Sequence, residues 1–123
     1  MTTVSVSGNQ ATITFAPDSG KYKTYTIASH SSRQQIVSLK VDSESPKEHQ
    51  ITGEGNKTAA APLPQGTKKV VLTFAFDKEG QKVASQLTSG GPYDIGKLQL
   101  VVVVAENGDD ADYNDAVVQF MVR

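Results

Sequence analysis

Apolar residues fall at every second position along much of this chain, and that period confines it to β-strands. Val4 and Val6 alternate with Ser5 and Ser7, and Ala11, Ile13 and Phe15 alternate with Thr12 and Thr14. Gly8-Asn9 between the two sets supplies the tight turn of a hairpin. The same alternation returns in three further sets: Val37, Leu39 and Val41; Val70, Leu72, Phe74 and Phe76; Val118, Phe120 and Val122. Each set occupies one face of a strand and is expected in the core. Residues 22–28, rich in Thr and Tyr, read as another strand. Residues 98–105 are apolar at both parities, which places them centrally in a sheet or at a subunit contact. A helical period does not recur.

The segments between are turn-like. Residues 17–20, 42–47 and 77–80 carry the Pro, Gly, Asp and Ser of turns. Ser29, His30, Ser31 and Ser32 read as a short polar loop, residues 49–52 as a short strand, and the Gly-, Ala- and Pro-rich stretch 53–66 as irregular. Residues 81–87 fit either a strand or a single helical turn, and 89–92 read as loop. The fold class expected is all-β: an antiparallel β-sandwich of about eight or nine strands.

At 123 residues the chain is expected to form one domain over 1–123. A domain of this size buries roughly two-thirds of the surface its unfolded chain exposes, enough for a core without staples. There is no cysteine, which excludes disulfides and thiolate metal sites. Twelve Lys and Arg against 13 Asp and Glu leave a formal net charge of −1, so nothing favours nucleic acid or an anionic membrane as partner. No run approaches the roughly 20 apolar residues of a membrane span, so membrane insertion is not expected. The start Met1-Thr2-Thr3-Val4-Ser5 has neither a basic nor an apolar leader region. The expectation is synthesis in the cytoplasm, with export or display at the cell surface left to another route.

One segment carries chemistry. Residues 106–115, Glu106-Asn107-Gly108-Asp109-Asp110-Ala111-Asp112-Tyr113-Asn114-Asp115, hold five of the 13 acidic residues, and residues 98–122 contain no Lys or Arg. Carboxylates a few Å apart repel by roughly 4 kcal/mol per pair at an effective dielectric near 20. A bound divalent cation offsets that repulsion. Calcium takes six to eight oxygens from Asp, Glu, Asn and backbone carbonyls. Asp110, Asp112 and Asn114, two residues apart, can converge from a curled loop, and Glu106 and Asp115 add oxygens from its flanks. The ligand count could serve two ions. The lack of His and Cys in the cluster argues against zinc and copper. The opening Asp110-x-Asp112-x-Asn114 is shared with EF-hand loops, but Asp115 stands where that loop needs Gly and Met121 where it needs Glu. The competing reading is a solvated acidic hairpin tip. Tyr113 fits a packing anchor better than a ligand.

The run Asp110-Ala111-Asp112-Tyr113-Asn114-Asp115-Ala116-Val117-Val118, with Glu106-Asn107-Gly108 before it in register, closely resembles the ending of the LecB-like, two-calcium bacterial lectins. Weaker likeness spans most of the chain: Val37, Leu39 and Val41 after a serine-rich loop, Ile51-Thr52-Gly53, and the apolar residues 98–104. The resemblance implies a β-sandwich that binds fucose- or mannose-type sugars through two adjacent calcium ions. It implies that Glu106, Asp110, Asp112 and Asp115 hold one ion. Asp112, Asn114 and Asp115 would hold the other, with a backbone carbonyl near Ser29 and His30. Sugar contacts would come from Ser29, His30, Ser31, Ser32 and Asn107 together with Asp110, Asp112, Asn114 and Asp115. Three departures stand out. Asn107 replaces the family's usual acidic residue. Ser29-His30-Ser31-Ser32 does not match the family's Asn-led specificity loop. The chain ends at Arg123, where the family ends in a Gly whose carboxylate reaches a neighbouring subunit's calcium.

Other motifs are poorer. His49 reads as an isolated surface histidine, and no nucleophile–base pair is suggested by spacing, so an enzyme is not expected. Clustered carboxylates can serve as acid and base in hydrolases, but here they are committed to metal. The stretch 53–58 lacks the spacing and the helix of a phosphate loop. Asn56-Lys57-Thr58 is a glycosylation sequon, meaningful in a eukaryotic secretory setting. The basic and aromatic residues Lys21, Tyr22, Lys23 and Tyr25 are too few for nucleic acid. Two functions remain: calcium-dependent binding of a mono- or oligosaccharide, with a homodimer suggested by residues 98–105, or an adhesion or structural module whose calcium is purely structural.

Overall fold

A computed structural model describes residues 1–17, 22–108 and 115–123. Among them are ten strands and no helix. In chain order these are β1 (Thr3–Ser7), β2 (Gln10–Thr14), β3 (Lys23–Val41), β4 (Lys47–Lys57), β5 (Ala61–Pro62), β6 (Lys69–Lys78), β7 (Gln81–Ala84), β8 (Gln86–Ile95), β9 (Leu98–Glu106) and β10 (Ala116–Val122). All the ladders are antiparallel. They run in the order β1-β2-β6-β3-β10-β9-β8, with β4 and β5 on β3 and β7 on β6. The two ends of that path, β1 and β8, lie against each other without a ladder, so the sheet nearly closes on itself as a barrel-like sandwich.

The alternating sets seen in the sequence line the interior. Ala11, Ile13, Phe15, Val37, Leu39, Val41, Val70, Leu72, Phe74, Val118, Phe120 and Val122 are buried in one cluster with Tyr25, Ile27, Val101, Val103 and Ala105. Phe15 and Phe120 meet edge to face at its centre, ring centroids 6.2 Å apart. Full burial of an aliphatic or aromatic side chain is worth roughly 1.5–3 kcal/mol, so this cluster is the main favourable term in folding.

The 19-residue β3 organises the molecule. Its first part, Lys23 to Ser29, pairs with β10, and its last part, Gln35 to Val41, pairs with β6. β4 follows it on the other edge from Ala28 to Leu39, with register shifts between Ser29 and His30 and between Ser31 and Gln35, and β5 meets it at Thr24 and Tyr25. One strand therefore passes from one half of the sandwich to the other through a bend at residues 30–35. Bulges of this kind raise the local twist and re-aim the strand. Two polar bonds hold the bend: the Arg33 N–H donates to Ser31 Oγ at 3.1 Å, and the wholly buried Gln35 donates through Nε2 to the Arg33 carbonyl at 3.1 Å.

Several segments differ from the sequence reading, each through long-range pairing. Residues 29–32, expected as loop, belong to β3 because β10 and β4 flank them. The expected short strand at 49–52 is part of an 11-residue β4 that runs into the stretch read as irregular. Residues 81–87 are extended, divided between β7 and β8, and residues 89–92 continue β8 through a register shift between Gly90 and Tyr93. His49 is not isolated. Its Nε2 lies 3.3 Å from the Tyr25 hydroxyl, and the two rings meet edge to face at 5.9 Å. Burial pushes the Tyr25 phenol up from its ordinary pKa.

Candidate functional site

The loop between β9 and β10 opens where β3 bends. Ala116 pairs with Ala105 on one side and with Ser29 on the other. One step further along, the Asp115 N–H donates to the Ala105 carbonyl at 3.1 Å, and the His30 N–H donates to the Asp115 carbonyl at 3.1 Å. That register sets Glu106, Asp115 and His30 in one row across β9, β10 and β3. By strand parity the row continues the outer face on which Val104, Val117 and Ala28 lie.

The two carboxylates of that row are drawn together. The backbone N–H of Asn107 donates to Glu106 Oε1 at 2.9 Å and to Asp115 Oδ2 at 2.8 Å, so one donor bridges both side chains. The Gly108 N–H adds a longer bond to Glu106 Oε1, 3.3 Å, with Gly108 at φ 92°, a conformation that favours glycine. Although acidic, Glu106 is only 2% exposed and Asp115 6%. Burying ionised carboxylates is costly unless they are paired, hydrogen-bonded or committed to a metal. Backbone N–H donors favour the charged form of a carboxylate.

Behind the carboxylates lies a hydroxyl and amide layer. Asn107 Nδ2 donates to Ser31 Oγ at 3.0 Å, tying the acidic loop to the bend of β3. Ser31 Oγ also accepts from the Arg33 N–H at 3.1 Å, so both bonds use it as an acceptor. Among the described residues, Ser29 Oγ and Asn107 Oδ1 are buried and have no hydrogen-bond partner. A buried polar atom left unmet costs about 1–3 kcal/mol, so both atoms suit a polar ligand or water at this position.

Of the residues expected to bind metal, Glu106 and Asp115 stand together here, while Asp110, Asp112 and Asn114 lie outside the described residues. Of those expected to bind sugar, Asn107, Ser31 and His30 reach the site. Ser32 is exposed on the bend, and the Ser29 side chain is wholly buried beneath it. The bulged part of β4 was not expected here. Glu54 pairs with His30, Gly53 with Ser31 and Asn56 with Ser29, which brings that segment to the rim of the site. The sequence clue was the pair Gly53 and Gly55, both of which take positive φ and make room for the bulge.

Comparison with known proteins decides the family. The model of the fucose-binding lectin II (PA-IIL) family matches residues 3–123. The chain belongs to this family. Lectins of this kind bind sugars and are not enzymes, in agreement with the sequence, which offers no nucleophile–base pair. A Chromobacterium violaceum lectin, solved in complex with alpha-methyl-fucoside, is similar at 25% identity and TM-score 0.69, covering 94% of this chain and 96% of that one. A high-affinity mannose-binding lectin of Ralstonia solanacearum shares the fold at 20% identity and TM-score 0.68, over 89% of this chain and 93% of its own. The C-terminal domain of a Burkholderia cenocepacia lectin shares it at 21% identity and TM-score 0.68, over 98% and 97%. No curated protein matches the sequence. The PA-IIL fold agrees with the all-β sandwich expected from the alternation, with ten strands among the described residues rather than eight or nine.

Proposed function

We propose that this PA-IIL family chain binds fucose- or mannose-type sugars through calcium held by the loop 106–115. The observation that carries the reading is the pair of buried carboxylates, Glu106 and Asp115, gathered around one N–H at the mouth of the loop. Their donor set, hard oxygens without His or Cys, fits calcium. Glu106, Asp110, Asp112, Asn114 and Asp115 would hold it, with a count that suits two ions. Bound there, calcium supplies coordination positions that vicinal sugar hydroxyls can fill in place of water. The chain itself does the rest. Asn107 and Ser31 present amide and hydroxyl groups beside the carboxylates, and the carboxylate lone pairs accept hydroxyl protons. The bend of β3 holds these groups in register. A pre-organised site of this kind saves the ordering cost of binding.

Titration calorimetry with fucose, mannose and galactose, in calcium and in chelator, tests the proposal. Heat is expected with fucose or mannose in calcium and none in chelator. Calcium binding without sugar heat would favour the alternative, a module whose calcium is structural. No calcium binding would end both.

The homodimer suggested by the sequence gains support from the face below the site. Thr24, Thr26 and Ala28 of β3, Val117, Gln119 and Met121 of β10, Leu98, Leu100, Val102 and Val104 of β9, and Thr88, Gly90, Tyr93 and Ile95 of β8 share that outer face by register, without one charged side chain. Tyr93 and Ile95 are 52% and 61% exposed. A second copy packed there would place two sites on one particle and raise the avidity of a weak single site.

A further inference from the structure

The row that holds Glu106, Asp115 and His30 does not stop at β3. The next strand is β4, and the residue paired with His30 is Glu54. Two strand spacings separate Glu54 from Asp115, about 10 Å. The intervening His30 is half-buried, whereas Glu54 is exposed.

This part of β4 is built rather than frayed. Between the pairs Ser29–Asn56 and His30–Glu54 the strand carries one extra residue, Gly55, at φ 73°. Gly53 takes φ 107°. The Asn56 carboxamide folds back to donate from Nδ2 to the Thr52 carbonyl, closing the bulge. A Cβ on Gly53 would stand 2.5 Å from Asn56 Nδ2, so only glycine leaves space for that clasp. The consequence is a fixed ridge that carries the Glu54 carboxylate along the edge of the candidate site. Lys57 stands one row lower, opposite Ala28, so the ridge pairs one anion with one cation and favours a neutral ligand over a charged one.

We propose that the β4 ridge, through Glu54 with His30 beside it, is a second subsite that reads the sugar residue attached to the one held at the loop. This rests on the sugar-binding reading above. The ligand class is a neutral di- or trisaccharide. The Glu54 carboxylate accepts one or two hydroxyl protons of the second residue, in charge-assisted bonds stronger than neutral ones. A monosaccharide held at the loop does not extend to it.

Calorimetry on the intact chain in calcium tests the subsite. The probes are methyl α-fucoside against a fucosylated trisaccharide, and methyl α-mannoside against α-linked mannotriose. The wild type is expected to prefer one of the oligosaccharides over its monosaccharide. Glu54→Ala should reduce that preference by about tenfold, the equivalent of one hydrogen bond to a charged group, and leave the monosaccharide affinity unchanged. Gly53→Ala, which crowds the Asn56 clasp without touching Glu54, should reduce the preference in the same direction. Equal affinities for mono- and oligosaccharides in the wild type, or an unaltered preference in Glu54→Ala, would overturn the subsite while leaving the loop site standing. Absence of any sugar binding by the wild type would overturn the loop site and the subsite together.

Discussion

The two outer faces of this sandwich are made from similar strands and differ in charge. On one, formed by β8, β9, β10 and the first part of β3, fourteen register positions carry no charged side chain. On the other, formed by β2, β6, the last part of β3 and β4, Lys40, Lys69 and Asp77 share the face with the Lys82–Glu48 ion pair, 2.9 Å between Nζ and Oε1. Charged side chains on a sheet face or edge keep it solvated and single. A contiguous apolar face marks a contact. The difference teaches that one side of the molecule carries the charge that keeps a sheet in water, while the other, the face proposed for a second copy, carries none on these strands, with the acidic row at its far end.

The largest effect should come from charging the apolar face. Val102→Lys at its centre should weaken self-association by about 100-fold or more, since each copy would bury an unpaired ammonium. Thr73→Lys on the charged face should leave the sedimentation coefficient as it was. Dissociation by both, or by neither, would break the contrast. Next is the acidic row. Saturating calcium at about 100 times its dissociation constant should raise stability by about 2.7 kcal/mol. Asp115→Asn should abolish that gain in a thermal melt with and without chelator, and a gain of equal size in the variant would remove Asp115 from the metal site.

A smaller effect lies between the faces. Tyr25 sits on the first part of β3 and His49 opposite the last part, so their contact spans the bend. The folded phenol is raised above its ordinary value of 10.0 by burial. Its contribution is therefore present below pH 10 and is lost as the pH rises through the folded value. Denaturant midpoints should fall above pH 10, and Tyr25→Phe should flatten that fall. The smallest effect belongs to the charged face. Lys82 holds the Glu48 carboxyl below its usual range by hydrogen bond and charge, so their interaction is lost as the pH falls through that lowered value. Both side chains are well exposed, so Lys82→Ala should move the melting temperature by no more than about 1 °C.

The alternating positions were legible in the sequence because burial acts locally: Ile13, Leu72 and Phe120 declare their face through their neighbours. So was the acidic cluster that includes Glu106 and Asp115, from carboxylates without bases nearby, and the structure brings these two together. What could not be read was pairing at a distance. Ser29 to Ser32 look like a loop because four polar residues in a row carry no period, yet β4 and β10 hold them extended. Gly53 and Gly55 suggest irregularity, and the structure uses them to curve a strand. Glu54 comes to the rim of the candidate site only through its register with His30, and while Gly53 and Gly55 hint at a bulge, they do not say which strand it faces. His49 likewise gains its partner from residue 25, half a strand pair away.

One backbone run, β3, supplies ladder partners to both halves of the sandwich and makes its turn beside the acidic loop. Tightening at that corner should therefore spread along the run in both directions. Occupancy of the loop should slow amide exchange near Ile27 and near Val37 alike, although these residues sit in different halves of the sandwich. A ligand that grips the corner thus acts as a clasp for the whole body.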